Sequence, residues 1–137
     1  MKKAKKKSKK KEKLSKWSLK KPMYIDKTDK RYEKYLKQLK DTGFSDTETW
    51  NLLGVIAEFI LPRLKRFREI ANGHPGVLTE AKWNKILDKM IFSFEWTLVD
   101  SDDFTHEHST DKQLERGWKR YEEGMELFRE YFMALWW

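Results

Sequence analysis

Along this chain apolar side chains recur at intervals of three and four, never in sustained alternation, so the pattern predicts four helices and no strand. The first predicted helix runs from about Asp29 to Asp41, with Thr28 as N-cap, Gly43 as stop, and Tyr32, Tyr35, Leu36 and Leu39 on one stripe. A second begins at Ser45, which with Glu48 makes a capping box: hydroxyl and carboxylate satisfy backbone donors that the first turn leaves open. Trp50, Leu53, Ala57, Ile60, Leu61, Leu64 and Phe67 mark one of its faces. Val55, Ile56 and Phe59 widen that face, which predicts a central, buried helix. Pro62 lies inside the pattern and should kink or break it, since proline lacks the amide donor.

The third predicted helix starts after Thr79 and reaches Glu95 or Trp96, with Trp83, Ile86, Leu87, Met90, Ile91 and Phe94 on a wide apolar face. A polar, acidic connection, Leu98 to Thr110, separates it from the last helix, which runs from about Asp111 to the end. There Leu114, Trp118, Tyr121, Met125, Phe128, Phe132 and Leu135 step by four and three, as a heptad seam does. Gly117 and Gly124 weaken that helix by roughly 1 kcal/mol each relative to alanine, unless their size admits a close helix contact. The expected fold is all-α: a small antiparallel bundle of about four helices with short loops.

Charge changes this picture at one end. Residues 1–21 hold 12 lysines against one acid, Glu12, a surplus of 11 positive charges; since the whole chain carries +8, the remainder carries −3. The expected organisation is therefore a disordered basic tail over residues 1–21 and a helical domain over 22–137, with Met23, Tyr24 and Ile25 docking the tail's end. A lysine arm attracts phosphates without reading sequence, so Lys5, Lys6, Lys7, Lys9, Lys10 and Lys11 are candidate nucleic-acid contacts. The competing reading is a solubilising tail with no dedicated partner.

Four further features bear on function. Arg63, Lys65, Arg66 and Arg68 crowd the end of the second helix; Arg63, Lys65 and Arg66 are candidates for holding a phosphate-bearing ligand. The simpler account, which we favour, is that these cations complement the helix dipole and pair with Glu69, Asp88 and Glu95. His106 and His108, among Asp100, Asp102, Asp103 and Glu107, fit no metal-ligand spacing and read as a solvated acidic loop, so no metal or cofactor is expected. His74, beside Pro75, reads as a turn residue. Seven tryptophans are present; Trp50, Trp83 and Trp118 fall on apolar faces, whereas Trp136 and Trp137 either fold back or form a protein interface.

With no cysteine, disulfides and thiolate sites are excluded. No apolar run reaches the ~20 residues a membrane span needs, and no nucleophile elbow, phosphate-binding loop or zinc-protease motif occurs. The expectation is a non-enzymatic, cytoplasmic binding protein with no membrane contact.

Four segments carry a resemblance: SDTETWNL, FILPRLKRFRE, LTEAKWNKILDKMIFSFEW and EGMELFREYFMALWW. Over about half the chain they resemble a widespread group of small uncharacterised proteins encoded by tailed bacteriophages and prophages. The lysine tail is not part of that pattern. The resemblance implies a phage origin and an early or accessory role in the host cytoplasm, and brings no catalytic residue or cofactor. Together the readings point to a protein that binds a protein partner or its own copy, with the tail adding attraction to nucleic acid. Two alternatives stand beside it: a binder that sequesters a phosphorylated metabolite or signalling nucleotide, and a virion component contacting packaged DNA.

Overall fold

The structure, a computed structural model, describes residues 21–100 and 110–137. The lysine tail up to Lys20 and the histidines at 106 and 108 lie outside the described residues. The described chain is all-helical, with four α-helices: α1 Tyr32–Thr42, α2 Leu52–Ile70, α3 Glu80–Asp100 and α4 Asp111–Tyr131. A 3-10 turn over Asp46–Asn51 leads into α2, and another over Phe132–Ala134 follows α4. The chain divides into two compact units, one ending at Leu52 and one spanning Leu53–Trp137.

In the first unit, α1 starts three residues later than the pattern predicts. Thr28 does not cap it; its amide instead donates to Asp26 at 2.8 Å. Asp29 accepts the Arg31 amide at 2.8 Å, which holds a turn where the first helical residues were expected. Gly43 ends α1 in the left-handed region, φ 85°, where its amide reaches the Leu39 carbonyl. Tyr32, Tyr35 and Leu39 are the buried stripe. The Ser45–Glu48 box forms, but it caps the 3-10 turn rather than α2 itself. Glu48 accepts the Ser45 amide at 2.7 Å, and the buried hydroxyls of Ser45 and Thr47 pair at 2.5 Å. Gln38 joins this turn to α1: its carboxamide donates to Asp46 Oδ2 at 2.7 Å and accepts the Asp46 amide at 2.9 Å. Pro22 is buried, Met23 and Ile25 half-buried, and Tyr24 exposed at φ 64°.

In the second unit, three helices enclose one core: Ala57 and Leu64 from α2, and Trp83, Leu87, Met90, Ile91 and Phe94 from α3. Ile60, Leu61 and Phe67 of α2 and Met125, Phe128, Tyr131 and Leu135 from α4 and its C-terminal turn pack against it. Ring edges lock the assembly, with Trp83 on Tyr131 at 5.6 Å and Phe94 on Phe128 at 5.1 Å. Two expectations for α2 are narrowed. Pro62 does not break the helix, which runs on to Ile70. The Arg63 guanidinium donates to the Phe59 carbonyl at 2.8 Å in the turn that holds the proline. Of the widened face only Val55 is buried: Ile56 and Phe59 stay half exposed, as do Leu53 and Trp50. The α3 helix continues through Leu98 to Asp100, into the expected connection, and Thr79 accepts the Lys82 amide at its start.

The contact between α3 and α4 corrects the predicted seam. On α4 the buried residues are Gly117 and Gly124, seven apart, while Trp118 and Phe132 are substantially exposed. A β-carbon at Gly124 would fall 2.2 Å from the Lys89 carbonyl oxygen and 1.9 Å from Ser93 Oγ; one at Gly117 would fall 2.0 Å from the Trp96 ring. Ser93, fully buried, donates to the Tyr121 carbonyl at 2.8 Å across the interface. Gly124 therefore lets two backbones approach and Gly117 makes room for the Trp96 ring, and the bulky seam residues are displaced to either side.

Gly→Ala in a helix ordinarily stabilises by about 1 kcal/mol. Here the sign reverses, because overpacking costs about 1–3 kcal/mol. Gly124→Ala should lower the melting temperature by several degrees, more than Gly117→Ala, where a side chain rather than a backbone must give. Thermal unfolding followed by circular dichroism checks this; an unchanged or raised midpoint in Gly124→Ala refutes the close packing.

Candidate functional site

The cations at the end of α2 divide between two directions. Lys65 pairs with Glu95 at 3.0 Å, and Arg68 holds Asp88 through two bonds, 2.5 and 3.2 Å, so both bridge to α3. That arrangement raises the Arg68 pKa, chiefly through the hydrogen bond to Asp88. Arg66 pairs with Glu69 at 3.0 Å, one turn on along α2. Arg63 lies over the Phe59 ring at 3.9 Å while bonding that residue's carbonyl. Each of the three proposed ligand-holding residues, Arg63, Lys65 and Arg66, thus has an intramolecular partner. All remain exposed.

The outer face of α2 is a surface that the sequence pattern read as interior. Ile56, Phe59, Arg63, Arg66 and Ile70 follow one another by three and four and form one exposed stripe. Ile56 is 51% and Phe59 48% exposed. It begins apolar at Ile56 and Phe59, turns cationic at Arg63 and Arg66, and closes on Ile70. The clue lay in the continuation: a face that runs at helical spacing into two arginines is poorly suited to a core.

A second feature lies in the same unit, its lining beginning two residues after Ile70. Asn72, Gly73, His74, Pro75, Ala134, Trp136 and Trp137 line a cleft of about 370 Å³. Its loop is held by Pro75, whose carbonyl accepts the Leu78 amide at 2.9 Å and His74 Nδ1 at 3.0 Å. Because a carbonyl can only accept, Nδ1 is the donor in that bond, and in the neutral ring Nε2 is then the acceptor. Trp136 and Trp137 are exposed at 77% and 60%. They neither turn into the core nor join the α2 stripe. Asn72, Gly73, His74 and Pro75 were legible only as a turn, because the cleft forms by contact with a segment sixty residues away.

In the first unit Arg31 is committed twice, to Asp29 at 2.9 Å and over the Trp50 ring at 5.5 Å. The Arg31 side chain and amide hold the Asp29 carboxyl down to about 2. Among the described residues no group of three or more acids or histidines could hold a metal ion, and no helix is long and apolar enough to cross a membrane. No protein family is matched by this chain, and no curated protein or solved structure is similar to it.

A carboxyl whose folded pKa lies below its unfolded value of about 3.9 adds stability above that value and loses it as pH falls through the folded one. Carbon-detected NMR should show Asp29 titrating near 2. Arg31→Gln should return it towards the ordinary carboxylate range. A midpoint near 4 in the unsubstituted chain refutes the Asp29–Arg31 arrangement.

Proposed function

We propose that this chain is a non-enzymatic phage accessory protein that acts by binding protein, and that the occupant of the α2 stripe is a second copy of the same helix. The carrying observation is the exposed run Ile56, Phe59, Arg63, Arg66. Exposed apolar residues gathered on one helix face mark association surfaces, whereas scattered ones do not.

The order of residues favours antiparallel self-pairing. A two-fold axis beside residue 61 sets Phe59 of each copy against Arg63 of the other, and Ile56 against the aliphatic stem of Arg66. Guanidinium over an aromatic ring is favourable, and arginine stems cover apolar surface while their charged ends stay in water. Each copy already shows that chemistry internally, with Arg63 over Phe59. Parallel pairing would instead align the cationic halves. The lysine-rich tail adds a separate, sequence-independent attraction to nucleic acid through Lys5, Lys6, Lys7, Lys9, Lys10 and Lys11. The phage assignment rests on the four resembling segments. Sequestration of a phosphorylated ligand by Arg63, Lys65 and Arg66 is the weaker reading, because the carboxylates of Glu95 and Glu69 lie against Lys65 and Arg66 and oppose an anion there.

Sedimentation velocity on the full chain tests the pairing: a concentration-dependent dimer is expected, and Ile56→Glu should shift it to monomer by at least tenfold in dissociation constant. A wild-type chain that stays monomeric at every concentration refutes self-pairing. For the tail, changing those six lysines to glutamine should weaken binding to a DNA duplex and flatten its dependence on salt. Equal affinity and equal salt slope in both forms would remove the tail's role.

A further inference from the structure

Six tryptophans fall within the described residues, and four of them are occupied. Trp50 meets the Tyr35 ring at 5.8 Å and Trp83 meets Tyr131 at 5.6 Å. Trp96 and Trp118 meet each other at 5.7 Å. Trp136 and Trp137 differ on three counts at once. Among the described residues neither has an aromatic partner, both are more than half exposed, and both line the same cleft. The cleft's size falls in the range of about 300–1,000 Å³ usual for small-molecule sites. Its remaining lining is polar in a particular way. The Asn72 carboxamide makes no hydrogen bond within the described residues and so offers both a donor and an acceptor beside the indoles. His74, with its proton held at Nδ1, offers an acceptor.

Indole faces beside an amide and an imidazole acceptor suit a planar aromatic ring whose edge carries both donors and acceptors. We infer that the cleft is a nucleobase-stacking site, with Trp136 and Trp137 as the stacking surface and Asn72 and His74 addressing the base edge. The rest of the chain supplies what such a site lacks. The cleft holds no cation, and phosphate attraction comes from the lysine arm, whose only aromatic residue is Trp17. Charge and stacking, the two contributions that single-strand binders combine, are thus divided between two parts of one chain. The inference is independent of the α2 pairing, which uses other residues.

The test separates bases from phosphates. Fluorescence anisotropy of labelled 12-mers, on the full chain, compares oligothymidylate with an abasic strand of equal length and charge. Stacking predicts about tenfold tighter binding of the base-bearing strand. Trp136→Ala with Trp137→Ala should remove that preference while leaving the abasic strand's affinity unchanged, and Trp136→Phe with Trp137→Phe should keep part of it. Because both rings are exposed, circular dichroism should show an unaltered melting midpoint in either double variant. Thymidine monophosphate in excess distinguishes the sources: displacement of the strand means that the site takes single nucleotides, and persistence of the preference means that it takes strands. Equal binding of thymidylate and abasic strands by the unsubstituted chain, or a preference that survives the double alanine variant, overturns the inference and leaves the cleft to a protein contact.

Discussion

The second unit depends on how closely α3 and α4 approach. Where a β-carbon at Gly124 would lie 2.2 Å from a backbone oxygen, there is no room for any side chain, and the helices meet through their main chains. Packing density is then supplied by small groups, Gly117, Gly124 and the Ser93 hydroxyl, and large residues are pushed to the two flanks. On one flank Phe128 and Tyr131 reach the core against Phe94 and Trp83. On the other, Phe92, Trp96, Trp118 and Tyr121 form an aromatic row, with Arg120 over Phe92 at 3.7 Å. One geometric constraint thus explains why α4 carries many aromatics yet buries only glycines fully. The same approach gives Ser93 its function, since a buried hydroxyl must find an acceptor and the Tyr121 carbonyl is within reach.

The α2 helix is held differently. Its ion pairs to α3, Lys65 with Glu95 and Arg68 with Asp88, sit in water and contribute little to stability, typically below 1 kcal/mol each. Their spacing sets register. Ala57 and Leu64 hold the helix in place through the core they share with Trp83, Leu87 and Ile91, since a fully buried leucine contributes about 1.5–3 kcal/mol and a buried methyl about 0.8 kcal/mol. That division frees the opposite face. A helix anchored by one stripe can carry any chemistry on the other, provided the backbone tolerates Pro62, and here the outer stripe carries two isoleucines, a phenylalanine and two arginines.

The helices themselves were legible because their periodicity is local: Leu87, Met90, Ile91 and Phe94 could face only one way. The capping residues Ser45 and Thr79 were legible for the same reason. The α1 start was misread because Asp29 and Arg31 form a side-chain turn that competes with helix, which the apolar spacing does not register. On α4 the close contact at Gly117 and Gly124 was one of the openings the sequence offered, and Met125, Phe128 and Leu135 of the seam do pack on the core; Trp118 and Phe132 were misplaced, because hydrophobic spacing registers apolar character and not the room that a close approach leaves. The C-terminal cleft was invisible for a third reason. Asn72 and Trp136 are joined by the path of two helices, and nothing in either segment announces the other. Trp136 and Trp137 were recognisable as residues in want of a partner, but not as residues sharing a cavity with His74.

The two proposed surfaces would respond to salt in opposite ways. Attraction of a polyanion to the lysine-rich tail would come from displaced counterions and would fall as salt rises. An antiparallel pairing of α2 would bring Arg63 and Arg66 of two copies into one neighbourhood, so screening would favour it. Valency would nevertheless link the two. A dimer would carry two tails and two tryptophan clefts, and engagement of a second site by one strand would be intramolecular, with an effective concentration set by the span between sites. Weak single contacts, one base on an indole pair and a diffuse lysine cloud, would combine into useful affinity only in the dimer. Self-association through α2 would then act as the control on nucleic-acid affinity, even though the helix touches no phosphate itself.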